Sequence, residues 1–495
     1  MRAILIGALA ALSGVLCALA FDPVALPYAM LVGVAGFLLV LRRLADARRR
    51  EVLLVGIIFG IGFMAPLIWW MNSVASAAFV ALVLAESVFF GLLAVSLRAV
   101  MRLRAWPLWA AGVWVLFEMV RGAFPFTGFP WGRLAHTSID TPFAPYVRLL
   151  GMPGTSAVLF LVVAMLVVLV TAHSTRRRVQ TTVLIVVAVG VGALLPTGLA
   201  GPDGTRRVAV IQGNTPTPFP PWPSGQLFAL HVAETERLAA RVEAGDEPRP
   251  DMVLWPESAA DVDPHVNKDA GDAIKALSVR LGAPLLVGGL FDGPTPETAI
   301  NAGEVWDARG PGERYVKRKV VPYGEYVPFR QELGGIVPRF DRDIPRDMIP
   351  GKAPGALSIA GTVIGDTICW DIAYDGIVRE TLARGATLLV VQTSNASFTG
   401  SSQPTQQWKI SRLRAIETGR FVVVPSTNGI SGIADADGKV VALADREKPQ
   451  TLTATVGLAS GTTPALVLGR WIEYLLSAAG LLGLVLGRRR RLETA

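Results

Sequence analysis

Long apolar runs fill the first 200 residues of the chain, and one more lies near its carboxyl end. Runs long enough, or nearly so, to cross a bilayer fall at roughly 3–20, 27–41, 52–70, 75–97, 105–120, 153–172, 179–199 and 468–487. We therefore predict an α-helical membrane bundle of eight transmembrane helices. The first run could be mistaken for a signal peptide. Its cleavage region is poor and further apolar runs follow at once, so we expect a retained helix.

Basic residues flank these runs in an alternating order. Clusters of arginine follow the second, fourth, sixth and eighth runs, within 42–50, 98–104, 176–178 and 488–491. The loops after the first and third runs, near 21–27 and 71–76, contain neither Lys nor Arg. Because positive loops remain in the cytoplasm during insertion, we expect both termini there and residues 201–463 on the opposite side.

The loop after the fifth run departs from this alternation, since it contains Arg121, Arg133 and Arg148 but is assigned to the outer side. It is rich in proline, glycine and aromatic residues, and Glu118 lies just before Arg121. One interpretation is an interfacial aromatic belt with an ordinary ion pair. The other is a rim beside an active site, where an arginine meets a lipid phosphate.

From Arg206 onward, short β-branched runs alternate with helical patterns, which is typical of an α/β domain. Strands are predicted at 207–212, 252–255, 284–288, 304–307, 362–368, 387–392 and 421–425. Helices are predicted at 225–244, 266–281, 377–383 and 405–418, and residues 434–439 indicate a turn between two late strands. The predicted organisation is a membrane domain at 1–200, a catalytic domain at 201–463, and an eighth membrane helix with a basic tail at 464–495.

The composition of the chain argues against several functional classes. The chain has 495 residues, 52% of them apolar, and a formal charge of +8. Because the basic residues cluster beside apolar runs, membrane topology explains this charge better than nucleic-acid binding. The two cysteines, Cys17 in the first apolar run and Cys369, do not make a disulfide framework. The four histidines are scattered, so we expect neither a metal site nor a cofactor.

Three reactive side chains each follow a strand-like run: Glu257, Lys317 and Cys369. Ligands gather beyond the carboxyl ends of strands in open α/β sheets. A carboxylate can accept the thiol proton, and an ammonium can stabilise the oxyanion formed when the thiolate attacks a carbonyl. Each residue has an ordinary alternative: a buried cysteine, a carboxylate in a turn, or one cation of a basic run. Together the three indicate acyl transfer.

The motifs around these residues resemble the carbon–nitrogen hydrolase (nitrilase) superfamily: Trp255-Pro-Glu257-Ser, Tyr315-Val-Lys317 and Cys369-Trp370-Asp371. A nitrilase-like domain before a last membrane helix, after seven others, is similar to the apolipoprotein N-acyltransferases. The stretches at 127–131, 321–329, 393–398 and 412–420 also match that family. The resemblance covers nearly the whole chain. It implies a four-layer αββα sandwich on a bundle of helices in a bacterial inner (plasma) membrane.

The resemblance also implies the chemistry. Cys369 would take an acyl chain from a membrane phospholipid as a thioester. The acceptor would be the α-amino group of the diacylglyceryl-cysteine at the N-terminus of an apolipoprotein. Glu257 would act as general base and Lys317 would stabilise the oxyanion. The implied partners are these two substrates, without nucleic acid, and we expect the chain to be a monomer.

Four further residues match supporting or substrate-binding positions of the family: Glu325, Trp222, Trp370 and Asp371. Many members have Tyr-Glu where this chain has Trp370-Asp371, and we expect this difference to affect substrate preference. Lys319 competes for the lysine role, but Lys317 keeps the family's spacing from Tyr315.

Other interpretations stay open. A membrane-anchored amidase would use the same triad with water as acceptor, although eight membrane segments favour a lipid substrate. A transporter or a receptor with an external sensing domain belongs to another class, and the scarcity of charge at the centres of the runs argues against it. The segment 331–350 mixes apolar and basic residues after Gly334 and Gly335. It would be either a lid at the membrane interface or a plain surface loop.

Overall fold

The structure is a computed structural model that describes residues 1–195, 203–217, 222–333, 342 and 344–493. The chain divides into two compact units, one formed by Met1–Thr197 with Thr463–Ala495 and the other by Gly198–Thr462. The first unit contains the apolar runs, and the second contains the alternating strand and helix patterns.

The helices in chain order are α1 (Arg2–Ala18), α2 (Ala29–Arg43), α3 (Arg49–Leu67), α4 (Ser76–Val100), α5 (Trp106–Arg121), α6 (Pro145–Thr171), α7 (Thr175–Leu194), α8 (Gln226–Ala244), α9 (Lys268–Leu281), α10 (Arg330–Leu333), α11 (Asp375–Leu382), α12 (Gln403–Thr418), α13 (Pro464–Leu468) and α14 (Arg470–Glu493). The strands are β1 (Thr205–Gln212), β2 (Met252–Leu254), β3 (Leu285–Asp292), β4 (Thr298–Asp307), β5 (Gly310–Val316), β6 (Asp347–Met348), β7 (Ala356–Ile359), β8 (Thr362–Ile368), β9 (Leu388–Gln392), β10 (Val422–Val424), β11 (Gly432–Ala434), β12 (Val440–Leu443) and β13 (Gln450–Gly457).

A helix of the first unit lies in each of the eight predicted runs, but the helices differ in length. Five are long and apolar enough to cross a membrane, namely α3, α4, α6, α7 and residues 470–489 of α14. The helices α1, α2 and α5 have 17, 15 and 16 residues. At 1.5 Å per residue they span about 22–26 Å, less than the roughly 30 Å of a hydrocarbon core. Among the described residues, length and composition therefore identify five spans rather than eight.

Glycines let the helices of the first unit approach closely. A Cβ on Gly112 of α5 would lie 2.6 Å from the backbone of Gly480 in α14. A Cβ on Gly14 of α1 would lie 2.2 Å from the carbonyl oxygen of Phe59 in α3. Small residues at such contacts are typical of membrane helices, which associate through close packing because lipid tails are as apolar as leucine.

Arginines at the end of α4 bind the loop that follows α2. Arg98 Nη1 donates to the carbonyl oxygens of Leu44 at 3.2 Å and Ala47 at 2.5 Å, and Arg102 donates to the carbonyl of Ala45. The carboxyl-terminal ends of α2 and α4 therefore meet at one end of this unit. Their arginine clusters share that end, as the alternation of charge requires.

The loop after α5 is held by a buried ion pair. Arg121 donates to Glu86 at 2.9 Å and also to the carbonyl oxygens of Phe129 and Trp131. Glu86 is in the middle of α4 and is buried. A charged residue inside an apolar helix is costly unless it is paired, so this ion pair fixes the loop against the helices.

Glu118 has a different partner from the one that its spacing suggests. It accepts hydrogen bonds from Trp114 Nε1 and the Leu134 amide, both at 2.9 Å, and forms an ion pair with Arg133 at 3.4 Å. An ion-paired aromatic loop is therefore present, but Glu118 pairs with Arg133 and Arg121 pairs with Glu86. Arg121, Arg133 and Arg148 are all buried. Buried side chains do not favour the interpretation as an exposed rim for lipid phosphates.

The second unit contains two β-sheets. Among the described residues, the first has seven strands in the order β13-β1-β2-β3-β4-β5, with β6 paired to β4. The second has six strands in the order β12-β11-β10-β9-β8-β7. In the first sheet β1, β2 and β3 are parallel, and in the second β8, β9 and β10 are parallel.

Alternation along the strands explains the layers. One face of each sheet contributes to a core between the sheets, with Val208, Val210, Leu254, Ile364, Ile368, Leu388 and Val390. The other face of the first sheet packs with α8 and α9 in a second core, with Ala209, Ile211, Val253, Leu285, Leu238 and Ile274. The helices α11 and α12 bury Val378, Leu382, Leu413 and Ile416 against the second sheet. Burying each Val, Leu or Ile side chain stabilises the fold by about 1.5–3 kcal/mol. The predicted αββα sandwich is confirmed.

Part of the predicted lid lies outside the described residues, at 334–341 and 343. Its last part is not a loop. Met348 belongs to β6, which pairs in parallel with β4, and the Ile349 amide donates to the Ala299 carbonyl at 2.9 Å. The expected turn at 434–439 is present between β11 and β12, which pair antiparallel.

Candidate active site

The three reactive residues follow three strands whose carboxyl ends lie at one edge of the sandwich. Glu257 follows β2 and the pair Trp255-Pro256, Lys317 follows β5 directly, and Cys369 follows β8 directly. The strands β2 and β5 belong to one sheet and β8 to the other. The two sheets therefore supply different parts of the site, as expected for ligands bound beyond strand ends.

Lys317 is the centre of a buried ionic cluster. Its Nζ lies 2.9 Å from Glu257 Oε1 and 2.7 Å from Glu325 Oε1, and its side chain is only 2% exposed. Burial lowers the pKa of Lys317, but the charges of Glu257 and Glu325 outweigh burial and raise it well above its usual value. The lysine is therefore a permanent cation, paired with two carboxylates.

Glu257 is buried, and its carboxylate accepts hydrogen bonds from three donors. Lys317 Nζ and Asn301 Nδ2, at 2.8 Å, donate to Oε1, and the Ser394 amide donates to Oε2 at 2.9 Å. A Cβ on Gly288 would lie 2.1 Å from the Pro256 carbonyl oxygen, so β3 passes directly beneath the turn that carries Glu257. These contacts fix the carboxylate in one orientation.

Glu325 is the second carboxylate of the cluster. Its Oε2 accepts the Val321 amide at 2.8 Å, and its Oε1 accepts Asn301 Nδ2 at 3.1 Å as well as Lys317. Burial and the charge of Glu257 raise the pKa of Glu325, although Lys317 lowers it. Asn301 therefore bridges the two carboxylates that share the lysine.

Cys369 begins a 3₁₀ turn, Cys369–Ala373, with φ at 50°. A positive φ is unusual for a residue other than glycine, and strain of this kind is of order 1–3 kcal/mol. Burial and the charges of Glu257 and Glu325 raise the pKa of its thiol to about 12, although Lys317 and a hydrogen bond with the Thr393 side chain act in the opposite direction. The resting thiol of Cys369 is therefore neutral.

The two residues after Cys369 hold its turn in place. Asp371 is fully buried and accepts hydrogen bonds from the Tyr315 hydroxyl at 2.6 Å and the Lys319 amide at 2.9 Å. Trp370 donates from Nε1 to the Tyr374 hydroxyl at 2.9 Å. Asp371 thus ties the turn of the nucleophile to the segment that carries Lys317. These hydrogen bonds agree with the supporting role that the resemblance implies for Trp370 and Asp371, and that role stays a prediction.

The structure separates the two candidate lysines. Lys317 Nζ contacts the carboxylates, whereas Lys319 is half-buried and its ammonium lies 4.7 Å from the centre of the Tyr374 ring. Trp222 donates from Nε1 to the carbonyl and hydroxyl oxygens of Thr217 within its own loop, whose residues 218–221 lie outside the described chain. Its supporting role stays a prediction.

The sequence motifs did not indicate Asn301, and they did not connect Ser394 with Glu257. Asn301 lies in the first half of β4, ahead of the predicted strand at 304–307. The sequence feature that could have indicated Asn301 is a polar residue two positions before Gly303, on the same face of the strand. Ser394 lies in a stretch that matches the family, but only the fold brings its amide to Glu257. Within the described chain, no group of three or more His, Cys, Asp and Glu side chains is placed to hold a metal ion.

Comparison with known proteins identifies the family of this chain. The apolipoprotein N-acyltransferase N-terminal domain matches residues 13–165, and the carbon-nitrogen hydrolase domain matches residues 207–463. An amidase from Nesterenkonia sp. superposes with a TM-score of 0.37 at 19% identity, over 56% of this chain and 97% of its own. An apolipoprotein N-acyltransferase of Vibrio vulnificus is 26% identical over 97% of both chains. One from Mycolicibacterium smegmatis is 34% identical over 86% of this chain and 75% of its own. This chain therefore belongs to the apolipoprotein N-acyltransferase family.

Proposed function

We propose that this chain moves an acyl chain from a membrane phospholipid to the α-amino group of the N-terminal diacylglyceryl-cysteine of an apolipoprotein. The chain is an acyltransferase of lipoprotein biosynthesis by its family. The observation that supports this reaction at this site is the convergence of a carboxylate, an ammonium and a thiol from three strand ends. The donor and the acceptor are proposed as its partners.

The first half-reaction uses all three of these groups. Glu257 takes the proton of the Cys369 thiol while the sulfur attacks the ester carbonyl. Lys317 stabilises the oxyanion that develops on the carbonyl oxygen. The ester C–O bond then breaks, and Glu257 returns the proton to the leaving oxygen of the lysophospholipid. The acyl chain remains on Cys369 as a thioester.

The second half-reaction runs through the same groups. The α-amino group attacks the thioester carbonyl and gives its proton to Glu257, and Lys317 again faces the oxyanion. The C–S bond breaks, the thiolate of Cys369 recovers the proton, and the amide product leaves. Water as the acceptor would make the enzyme an amidase-type hydrolase. Membership of the family and the membrane helices favour the amine.

Labelled phospholipid tests the first half-reaction. Purified enzyme is expected to hold a hydroxylamine-labile acyl group on Cys369, and the C369A variant is expected to hold none. Adding a diacylated lipopeptide with a free amino terminus should discharge this group and give an N-acylated peptide by mass. A matched lipopeptide with an acetylated amino terminus should leave the acyl group in place. Release of free fatty acid without N-acylated peptide would contradict acyl transfer.

The proposed membrane arrangement has eight spans, both termini in the cytoplasm and the catalytic unit outside it. The alternation of arginine clusters and the shared end of α2 and α4 support this arrangement. Truncated chains fused to alkaline phosphatase test it. A fusion after residue 25 should be active and one after residue 46 inactive, since the enzyme works only outside the cytoplasm. The reverse pattern would refute the sidedness.

A further inference from the structure

Two polar side chains lie in the core between the two sheets. Asp366 of β8 and Gln392 of β9 are fully buried. Asp366 alternates with Ile364 and Ile368, which face the other sheet, and Gln392 continues the row of Val390 on the neighbouring strand. Both side chains therefore occupy positions where this core is otherwise apolar.

The oxygens of these side chains meet at one place on the opposite sheet. A Cβ built on Gly303 of β4 would lie 2.1 Å from Asp366 Oδ2 and 2.2 Å from Gln392 Oε1. The two oxygens thus pack against the same glycine, in space that any side chain at residue 303 would occupy. Within the described residues, neither carboxylate oxygen of Asp366 nor Gln392 Oε1 accepts a hydrogen bond of normal distance and angle, although the Thr367 amide lies near the Asp366 carboxylate.

The orientation of the Gln392 amide is fixed by its other end. Its Nε2 donates to the Trp255 carbonyl oxygen at 2.7 Å. Rotating the amide would place Oε1 against that carbonyl, so that two acceptors would face each other. Gln392 Oε1 must therefore face Asp366. An ionised Asp366 would leave a buried charge and two opposed acceptors, which is strongly unfavourable.

We propose that Asp366 is a neutral carboxylic acid that donates its proton to Gln392 Oε1, and that this bond positions Glu257 relative to Cys369. The hydrogen-bonded chain runs from the Asp366 hydroxyl through the Gln392 amide to the Trp255 carbonyl. Asp366 lies three residues before the nucleophile on β8, and Trp255 lies two residues before the base. Burial raises the pKa of Asp366 well above its usual value, as do the charges of Asp371 and Glu257, and these outweigh the Thr367 amide, which lowers it.

The consequence for catalysis rests on the proposed function, whereas the state of Asp366 does not. Gln392 pairs with Ile368, the residue directly before Cys369, where β9 lies beside β8. The same amide therefore connects the turn of the base with both strands beside the nucleophile. Asp366 is a positioning residue, because it acts through Gln392 and Trp255 and does not touch the reacting atoms.

Infrared difference spectroscopy tests the protonation. The wild-type minus D366N spectrum at pH 7 should contain the C=O stretch of a protonated carboxyl group. The subtraction is needed because the pKa values of Glu325 and Asp371 are also raised by their surroundings. A carboxylate band in its place would mean that Asp366 is ionised and that another donor, such as a water molecule, lies between the oxygens. That result would overturn the proposal.

The kcat values of two variants distinguish a positioning role of Asp366 from a role in packing alone. Since the Asn side chain is neutral and can donate to Gln392 Oε1, D366N should keep the wild-type kcat within about threefold. D366L, which fills the space without a donor, should lower kcat by roughly 10- to 100-fold with little change in KM. Melting curves must show that both variants are folded. Equal losses in D366N and D366L would refute the positioning role. If the wild-type enzyme transfers no acyl chain, the proposed function fails and the infrared result still stands.

Discussion

The reactivity of Cys369 gives a direct test of the charges around it. With its pKa raised to about 12, roughly one molecule in 10⁵ carries a thiolate at pH 7. The charge of Glu257 contributes to this shift, and the charge of Lys317 opposes it. Removing each charge should therefore change the reactivity of the thiol in opposite directions.

The expected sizes follow from the pKa. A neighbouring charge typically shifts a pKa by about 1–3 units. Lowering a thiol pKa by one unit raises its thiolate fraction about tenfold, while the intrinsic nucleophilicity falls with a Brønsted coefficient of about 0.4–0.5. E257Q should therefore react with iodoacetamide roughly 3- to 60-fold faster than the wild type, even though it no longer transfers acyl chains. K317M should react more slowly by a similar factor.

The assay is alkylation followed by mass spectrometry of the peptide that carries Cys369, which separates it from Cys17. The rate should rise with pH and reach no plateau below about pH 10, since a thiol with a raised pKa ionises late. K319M is the matched control: Lys319 contacts the Tyr374 ring instead of the carboxylates, so the rate should not change. Slower alkylation in E257Q would refute the reasoning, because Glu257 would then act on the resting thiol as a base and not as a repelling charge.

Two further predictions concern stability, measured by thermal and denaturant unfolding of the full chain. G303A forces a Cβ to 2.1 Å from a buried oxygen and should cost about 1–3 kcal/mol, whereas G461A, with no atom within 4 Å, should leave the melting temperature unchanged. Equal effects would refute the close packing at Gly303. R414M removes a fully buried guanidinium that pairs with Asp375 at 2.6 Å and with Glu417, so it should cost about 3–5 kcal/mol. R309M removes a surface cation and should unfold like the wild type, and a harmless R414M would show that the buried pair is dispensable.

Much of the second unit was predictable from local pattern. Runs such as 362–368 are short, β-branched and flanked by turn residues, and their strands are central and buried on both faces. The missed strands lack that signal. β5 is an edge strand that begins with Gly310, Pro311 and Gly312 and is largely exposed, so its sequence has neither an apolar run nor a clear alternation. β6 has only two residues, and it is a strand only because it pairs with β4.

The residues of the site also differ in whether the local sequence predicts them. Glu257 and Cys369 were predictable because each follows a predicted strand and carries a reactive group, whereas Lys317 was chosen by its spacing from Tyr315. Asn301 and Asp366 were not predictable, since their roles depend on residues in other strands. The pairing of Asp366 with Gln392 requires the register of β8 with β9 and the approach of Gly303 from the opposite sheet. No window of the sequence contains those contacts.

The neutral thiol of Cys369 also fits the proposed location of the catalytic unit. Outside the cytoplasm the surroundings are oxidising, and a thiolate is the form that peroxides and disulfides attack. Burial and the two carboxylates beside Lys317 keep the resting sulfur protonated, and in the proposed mechanism Glu257 removes the proton as the carbonyl is attacked. Lys317 stabilises the thiolate less than the carboxylates oppose it, so its charge is available for the oxyanion. The same arrangement that slows alkylation of the resting enzyme would thus protect its nucleophile between turnovers. The faster alkylation expected of E257Q measures that protection.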